Sequence, residues 1–388
     1  MKIFLFKKKI EEILKANKNN DFSFLAILLY LLSLVYGLII KFRLFLFRIN
    51  ILKSNKLNCN VISVGNITAG GTGKTPMTIY ISEQITKIGY KCSVISRGYK
   101  GKESNKGGVV CDGKNILMTP EMAGDEPVLI SEHLKNIPVV IGQNRFESGK
   151  LSLNLFKPDV IILDDAFSHI QLNRNINLVL LDASHPFGNN HLLPRGILRE
   201  PLSSLKRADA VIITRSQYLT DTEKTHLLEK VQKYLSTNVP IFLSKHTPYI
   251  YKIIKNAETI FNHRINQNCL TNEIELIKNK EILAFSGIAK NNEFKKSLEY
   301  LGFKVKKFKD FPDHYRYNKQ DLEDIIKESN DIEAIATTDK DYVKLDKKFN
   351  SKKMLIVISV KISFGRYEEK FNNLLKQLLD NTNGFFMV

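Results

Sequence analysis

One short stretch constrains this chain more than any other: VISVGNITAGGTGKTP, residues 61–76. A β-branched apolar run, typical of a buried strand, leads into glycines and then into Gly73-Lys74-Thr75, where a helix is predicted to begin. Glycines let backbone N–H groups close around a phosphate, and the helix N-terminus adds the positive end of its dipole. The stretch therefore predicts a strand, a phosphate-binding loop and a helix.

The loop also carries the residue types that bind a magnesium nucleotide. Lys74 is predicted to reach the β- and γ-phosphates of a nucleotide, and the Thr75 hydroxyl to bind Mg²⁺. The backbone groups predicted to cradle the phosphates belong to Gly70, Gly71, Thr72 and Gly73. The generic pattern begins with glycine, where this chain has Thr68. A glycine-rich turn with a surface lysine is the competing interpretation, and the strand before the loop disfavours it.

A second strand is predicted to end beside this loop. Val160–Leu163 is a continuous apolar run, and Asp164 and Asp165 follow it directly. Carboxylates at the carboxyl edge of a buried strand hold Mg²⁺ in P-loop proteins, directly or through water. Many strands end in an aspartate, so the run alone indicates little. Together with the Gly-Lys-Thr loop it predicts the metal site of a phosphoryl-transfer protein.

Beyond residue 56 the chain alternates predicted strands and helices, the pattern of an α/β protein with a mostly parallel sheet. Strands are predicted at Val61–Val64, Cys92–Ser96, Pro138–Ile141, Val160–Leu163, Leu178–Leu181 and Val211–Ile213, with helices at Lys74–Ile88 and Glu126–Leu134. Residues 215–280 are more polar and less regular, and a second α/β section follows. We predict an N-terminal helical segment at 1–56, a P-loop domain at 57–215 and a smaller α/β domain at 216–388.

Composition and charge narrow the range of partners. Of the 388 residues, 43% are apolar and 25% charged, which argues against global disorder. The formal net charge of +18 draws the chain to phosphates on nucleotides, nucleic acids or anionic lipids. No segment resembles a nucleic-acid-binding motif, and nothing indicates an obligate protein partner. The cysteines form no CxxC pair, which predicts free thiols in a reducing compartment; they are Cys59, Cys92, Cys111 and Cys269.

The uncharged run Ser23–Ile40 indicates contact with a membrane. Its length is at the lower limit for crossing a bilayer, and basic residues flank it on both sides. No small-residue cleavage site follows the run, which disfavours a cleavable signal peptide. A transmembrane anchor and a helix lying in the membrane interface both fit, and the basic flanks favour the second. A buried core helix is a third interpretation, which the lack of a polar stripe disfavours.

Two further positions are candidates for proton transfer. Asp125 lies in Gly-Asp-Glu-Pro at a predicted helix start, where most acids serve only the helix dipole. His314 lies in Phe-Pro-Asp-His in a loop of the C-terminal section, where most histidines are exposed polar groups. The residues alone leave the structural and the catalytic interpretation of both side chains open.

In combination, these motifs resemble the tetraacyldisaccharide 4′-kinases of lipid A biosynthesis. The matching segments follow the order of that family: SVGNITAGGTGKTP (63–76), SRGYKG (96–101), GDEP (124–127), LDDAFSH (163–169), LLPRGILREP (192–201), RADAVIITR (207–215) and FPDHYRY (311–317). The phosphate loop of the family also lacks the first glycine, so Thr68 agrees with it. The resemblance implies a P-loop α/β fold and transfer of the γ-phosphate of ATP, with Mg²⁺, to the 4′-hydroxyl of a tetraacylated disaccharide 1-phosphate.

The resemblance also implies roles for individual residues. Asp125 and His314 would act as the unit that activates the acceptor hydroxyl. Arg199 and Glu200 look like a further active-site pair, with Glu200 near the Mg²⁺. The remaining Mg²⁺ positions would be Thr75, Asp164 and Asp165, and Lys74 would stabilise charge on the phosphates.

The chain departs from the family pattern at a few positions. Ala166 and Ser168 stand where the family usually has Gly and Gln, and Ile197 where it usually has Pro. Ala166 adds a Cβ, which is tolerable only at negative φ. The shorter Ser168 side chain puts any contact of that glutamine in doubt. None of these changes removes a residue with a proposed chemical role.

The resemblance further implies where the chain works and with what. Its partners would be the lipid A disaccharide 1-phosphate precursor and anionic lipids, at the cytoplasmic face of the inner membrane of a Gram-negative bacterium. Two rival interpretations remain. A membrane-associated P-loop NTPase switch would hydrolyse ATP without phosphorylating a sugar. A nonenzymatic basic binding protein would leave Lys74 and the Asp164–Asp165 pair unexplained.

Overall fold

The computed structural model describes residues 23–256, 258–263, 279–345, 349 and 352–383. Contacts in this part of the chain define two compact units. The first runs up to Arg97, then over Asn144–Lys245, and again from Ser363; the second contains Gly98–Gln143 and His246–Ile362. Residues 1–22 of the predicted N-terminal segment and Cys269 lie outside the described residues. The linear domain boundaries predicted at 56 and 215 stay a prediction, since contact density does not test independent folding.

Helices and strands alternate over much of the described chain, as the sequence predicts, although some strands follow one another without a helix between them. The strands are β1 (Asn60–Asn66), β2 (Cys92–Ser96), β3 (Gly108–Cys111), β4 (Val139–Ile141), β5 (Val160–Asp164), β6 (Ile176–Asp182), β7 (Ala210–Thr214), β8 (Ile241–Leu243), β9 (Lys245–Lys255), β10 (Glu258–Asn262), β11 (Glu281–Ser286), β12 (Lys304–Asp310), β13 (Ala334–Thr338) and β14 (Met354–Ser363). The α-helices are α1 (Phe24–Arg48), α2 (Lys74–Lys87), α3 (Pro120–Ala123), α4 (Asp125–His133), α5 (Arg145–Phe156), α6 (Asp221–Gln232), α7 (Asn291–Tyr300), α8 (Lys319–Glu328), α9 (Asp339–Tyr342) and α10 (Glu368–Asn383).

The first unit is built on parallel strands in the order β2-β5-β1-β6-β7-β8. Strand β1 lies between β5 and β6, with Val61 opposite Ile161 and Ile62 opposite Ile176. Every residue of β1, β5 and β7 is buried, as expected for parallel strands covered on both faces. Because parallel strands bring their carboxyl ends to one edge, the segments after β1, β5, β6 and β7 meet there. The predicted α/β class with a mostly parallel sheet is confirmed.

The second unit contains a mixed sheet in the order β10-β9-β14-β13-β11-β12. Strand β11 pairs in parallel with β12 and β13, and β13 with β14, whereas β9 and β10 are antiparallel. Leu283, Phe285, Ile335 and Val357 of these strands are fully buried. The carboxyl ends of β12 and β13 lie at the same edge, so the loop with His314 and helix α9 both start there.

Predicted and observed elements agree best around the phosphate loop. The helix predicted at Lys74–Ile88 is α2, and the strand predicted at Val160–Leu163 is β5. The largest difference falls in residues 215–280, where the polar stretch contains the long strand β9. Pro248 interrupts the pattern of that strand, and a proline within an apolar run argues against a strand in sequence reading.

Helix α1 packs against the rest of the first unit through a narrow stripe of residues. Ala26, Leu29, Ser33 and Gly37 are its buried residues, spaced so that they share one face. A Cβ at position 37 would lie 2.9 Å from Leu192 Cδ1, so glycine permits this close approach. The other faces expose large apolar side chains, which is not how a buried core helix packs. Among the described helices, α1 passes the length and composition test for a membrane span, with a mean hydropathy of 2.3.

Candidate active site

The phosphate loop connects the end of β1 to the start of α2. Gly70 and Gly73 have positive φ values of 108° and 85°, which glycine adopts without a side-chain clash. An added Cβ at position 70 would meet no atom within 4 Å, so the loop borders open space there. Helix α2 begins at Lys74, with Thr75 as its second residue, and no side chain caps its first turn. A helix start of this kind suits an anion.

Side chains at the end of β7 hold the carbonyl groups of this loop. The Thr214 hydroxyl donates to the Thr72 carbonyl at 3.0 Å, and Arg215 Nη1 donates to the Gly71 carbonyl at 3.0 Å. Arg215 also forms an ion pair with Asp182 at the end of β6. These contacts hold the loop backbone in place from the ends of β6 and β7.

Asp165, Arg199 and Lys74 form a charged group beside the loop. Arg199 donates to both Asp165 oxygens, at 2.9 and 3.2 Å, and Lys74 Nζ lies 3.7 Å from Asp165 Oδ1. Arg199 also donates to the Asn66 side-chain oxygen, and the Asn66 amide donates to the Thr72 hydroxyl at 2.8 Å. Burial raises the pKa of Asp165, but the Lys74 and Arg199 charges outweigh it and lower that pKa to about 2.

Asp164 is oriented by hydroxyl groups from two neighbouring elements. The Thr78 hydroxyl of α2 donates to Asp164 Oδ1 at 3.0 Å, and the Ser96 hydroxyl at the end of β2 donates to Oδ2 at 3.1 Å. A carboxylate offers about four lone-pair positions, so both oxygens can still contact a cation. The next residue, Asp165, has a φ of 50°, which turns the chain sharply after β5.

Positive charge is concentrated around the end of β5. Arg145 is 3% exposed, and burial together with the Arg97 charge lowers its pKa to about 10. Burial and the charges of Arg145 and Arg174 lower the pKa of His169 to about 4, so this imidazole is neutral at pH 7. Cations gathered in this way attract a polyanion such as the phosphate chain of a nucleotide.

The same edge of the sheet supplies oxygen ligands suited to Mg²⁺. Within the described residues, no three or more His, Cys, Asp or Glu side chains form a group that could hold a metal ion. Mg²⁺ in nucleotide enzymes is commonly bound by one or two carboxylates with phosphates and water, which Asp164, Asp165 and the Thr75 hydroxyl fit. Glu200 is 4% exposed, and its carboxylate pairs with Arg207.

A second group of titratable side chains lies in the second unit. His314 Nδ1 is 3.0 Å from Asp125 Oδ2, and His314 Nε2 is 3.4 Å from Glu126 Oε1. Burial raises the pKa of Asp125, but the hydrogen bond from His314 and the charge of Lys344 outweigh it and lower that pKa. Asp125 also lies in the first turn of α4, where a negative charge is stabilised by the helix dipole. The same carboxylate therefore interacts with the helix start and with His314.

Backbone contacts fix both partners of this pair. Gly124, just before Asp125, has a φ of 92°, and an added Cβ would lie 2.6 Å from the Tyr99 carbonyl oxygen. His314 has a φ of 60°, an uncommon value for a residue with a side chain, and its N–H donates to the Gly287 carbonyl at 3.2 Å. The Tyr99 ring meets the His314 ring edge-on, with 5.6 Å between centroids. The side chain of His314 is 14% exposed, so it is not a free surface histidine.

The residues that depart from the resembled pattern are accommodated. Ala166 is not among the described residues with positive φ, so its Cβ costs no backbone strain. The Ala69 N–H donates to the Ile197 carbonyl at 2.7 Å, which ties this segment to the phosphate loop. The Ser168 hydroxyl is buried and finds no hydrogen-bond partner among the described residues.

Some residues of these groups are not singled out by the sequence pattern. Asn66 and Arg215 lie inside quoted motifs, and their positions at strand ends are the signal that identifies them. Glu126 lies inside the quoted GDEP segment, whereas Lys340 lies outside every quoted segment and is identified by its contact with His314. The structure thus brings Lys74, Asp165 and Arg199 together in one unit, and Asp125 and His314 in the other.

Comparison with known proteins gives consistent matches along the chain. The sequence model of the tetraacyldisaccharide-1-P 4′-kinases (LpxK) matches residues 25–380. A tetraacyldisaccharide 4′-kinase of Desulfatibacillum aliphaticivorans is 36% identical over 380 residues, 96% of this chain and 98% of that protein. One of Syntrophus aciditrophicus is 39% identical over 332 residues, 84% of this chain and 86% of that protein. The crystal structure of LpxK from Aquifex aeolicus in complex with ATP has a TM-score of 0.68 and 32% identity, covering 92% of this chain and 99% of that one.

Proposed function

Because this chain belongs to the tetraacyldisaccharide-1-P 4′-kinase family, we infer that it transfers the γ-phosphate of ATP to the 4′-hydroxyl of a tetraacyldisaccharide 1-phosphate. This is a late step of lipid A biosynthesis. The observation that carries the inference is the extent of the match, residues 25–380, which takes in the phosphate loop and the His314 loop alike. An NTPase switch without sugar kinase activity is not favoured, because the family consists of kinases.

We assign the nucleotide to the loop that precedes α2. The backbone of residues 70–73 would surround the phosphates, while Lys74 and Arg199 would stabilise negative charge as the terminal phosphoryl group moves. Thr75, Asp164 and Asp165 would hold Mg²⁺, with Glu200 close to it; the ion, when bound, neutralises phosphate charge. The ATP complex of the Aquifex relative and the uncapped start of α2 support this assignment.

We assign activation of the acceptor to Asp125 and His314. The 4′-oxygen forms a bond to the γ-phosphorus, the bond to the ADP oxygen breaks, and the hydroxyl proton passes to the Asp125–His314 pair. The 3.0 Å contact and the low pKa of Asp125 keep this carboxylate ionised and oriented. A positioned base of this type contributes about 10²–10⁴-fold to a rate.

We place the enzyme at the cytoplasmic face of the inner membrane. Helix α1 exposes large apolar side chains over most of its length, and Lys41, Arg43 and Arg48 follow the uncharged run. Exposed apolar area with flanking basic residues favours binding to anionic lipid surfaces. The acylated substrate is held in the same bilayer, so the enzyme meets it there.

The test is transfer of labelled phosphate from Mg-ATP to the purified disaccharide lipid in detergent micelles. Wild type is compared with Asp125→Ala and His314→Ala, and with the exposed α6 variants Asp221→Ala and His226→Ala as matched controls. We expect wild type and controls to label the lipid, and the first two variants to lose about 10²-fold or more while still binding ATP. ATP hydrolysis by wild type with no labelled lipid would refute the kinase assignment.

A further inference from the structure

Lys340 brings a positive charge into the acidic group around His314. Its Nζ lies 3.0 Å from Glu126 Oε1, 3.3 Å from Asp313 Oδ1 and 3.3 Å from His314 Nε2. The three partners come from α4 and from the loop after β12, whereas Lys340 itself lies on α9. The roles assigned above leave this lysine unused.

The position of Lys340 is fixed by the short helix that carries it. The Asp341 N–H donates to the Thr338 hydroxyl at 3.0 Å, which caps α9 directly after β13. The Lys340 side chain is 20% exposed. Burial lowers the pKa of Lys340, but the Glu126 and Asp313 charges outweigh it and raise that pKa, so the group is an ammonium at every physiological pH.

An ammonium carries hydrogen-bond donors and no acceptor. His314 Nε2, 3.3 Å from Lys340, can therefore bond to it only as an acceptor, which leaves the ring proton on Nδ1. That nitrogen lies 3.0 Å from Asp125 Oδ2 and donates to it. The Glu126 carboxylate competes for Nε2 at 3.4 Å, but its Oε1 is closer to Lys340, at 3.0 Å, where it forms an ion pair.

We propose that Lys340 is a positioning residue of the kinase, whose ammonium holds the ring proton of His314 on Nδ1 and so directs it to Asp125. The inference rests on the proposed roles of Asp125 and His314. In this tautomer His314 supports the ionised Asp125 carboxylate with an N–H···O bond and leaves its other oxygen to the acceptor hydroxyl. The opposite tautomer would place the lone pair of Nδ1 against the Asp125 oxygen, which is repulsive.

Removing the Lys340 charge is expected to change the pH dependence of the reaction in one direction. The charged and titratable groups that face the pair from the elements around it are Glu126, Asp313, Tyr99, Lys340 and Lys344. Without the Lys340 ammonium, the neighbouring carboxylates remain and one charge that lowers the pKa of Asp125 is gone, so Asp125 binds a proton more readily. The acid limb of the rate profile then moves to higher pH.

The test is the pH dependence of kcat for the full chain in lipid micelles. The variants are Lys340→Met, Lys340→Arg and, as a matched control, Lys319→Met, whose side chain is 92% exposed. For Lys340→Met we expect kcat at pH 7 to fall about tenfold, KM for ATP to stay within about twofold, and the acid limb to move up by about one pH unit. Lys340→Arg keeps the charge and is expected to keep the limb in place, as is the control.

A second readout does not depend on activity. Nitrogen-15 shifts of the His314 ring, identified by their loss in His314→Ala, are expected to show Nδ1–H in wild type and a mixture of tautomers in Lys340→Met. A wild-type ring protonated on Nε2, or a Lys340→Met enzyme with an unmoved acid limb, would overturn the proposal. If wild type labels no lipid, the proposed function fails, and the ring shifts still decide the role of Lys340. If Lys340→Met does not fold, the wild-type shifts and Lys340→Arg decide it.

Discussion

Asp341 is a buried carboxylate on which the loop around His314 depends. It is fully buried and forms an ion pair with Lys344 at 2.6 Å, whose side chain is 4% exposed. Its oxygens also accept from the Thr338 hydroxyl at 2.7 Å, the Tyr317 hydroxyl at 3.0 Å and the Gly287 N–H at 3.0 Å. Tyr317 lies in the segment that carries His314, and Gly287 accepts the His314 N–H. Asp341 therefore connects α9 to the His314 loop.

The substitution Asp341→Asn keeps the size of this group and removes its charge. The Lys344 ammonium is then buried without its counterion, and breaking a buried pair in this way costs about 3–5 kcal/mol. An amide NH₂ would also face donors where a carboxylate oxygen accepted. Removing both charges, in Asp341→Asn with Lys344→Met, leaves no buried ion, so we expect at least about 2 kcal/mol of the loss to be recovered.

The assay is urea unfolding at pH 7 and 25 °C, followed by far-UV circular dichroism because the chain contains no tryptophan. The single variant is expected to lower the midpoint at an unchanged slope, which identifies a loss of stability and not a change in the exposed area. Lys319→Met serves as the control for loss of a surface lysine charge. A single variant within about 1 kcal/mol of wild type, or a double variant no more stable than the single one, would refute the reasoning.

Three further predictions concern the first unit. Tyr36→Phe removes the hydrogen bond from α1 to the Arg199 carbonyl, 2.9 Å long, so we expect kcat on lipid to fall about fivefold, for about 1 kcal/mol, with vesicle binding unchanged; wild-type kcat would contradict it. Arg199→Met removes a charge that lowers the Asp165 pKa. In wild type, the stability that ionised Asp165 contributes is lost as the pH falls through about 2. In the variant we expect this contribution to be lost at a higher pH, as measured by acid unfolding. Gly65→Ala puts a Cβ 2.6 Å from the backbone nitrogen of Phe167, and we expect a loss of about 1–3 kcal/mol in denaturant unfolding, whereas an unchanged midpoint would exclude the clash.

The sequence predicts the first unit well where local chemistry determines the structure. A β-branched run followed by glycines and Lys74 defines a strand, a loop and a helix without help from distant residues, and α2 starts where the pattern predicts. Asp164 and Asp165 likewise follow a short apolar run typical of a buried strand, and the structure has β5 there. By contrast, β9 contains Pro248, which argues against a strand in the sequence, and its pairing with β10 and β14 is evident only from the structure.

The course of the chain through the two units is beyond local patterns. Residues 98–143 lie between segments of the first unit along the chain but belong to the second unit, and the chain from Ser363 onward belongs to the first again. Tyr80 of α2, for example, donates to Glu368 of α10 at 2.6 Å, nearly three hundred residues later. Periodicity reports which residues are buried, but it does not report which distant segment covers them.

Lys340 shows why the same limit applies to function. In the sequence it is a lysine between two aspartates at a helix start, a pattern typical of a solvated surface turn. Its significance arises because β12 and β13 are parallel to the same neighbour, which brings α9 beside the loop that holds His314. Lys74 is recognisable because the loop around it is encoded in adjacent residues. The proton position on His314, in contrast, depends on the Lys340 charge, which follows another strand. A kinase of this kind can therefore be identified from its motifs, while part of its proton chemistry is specified only by the fold.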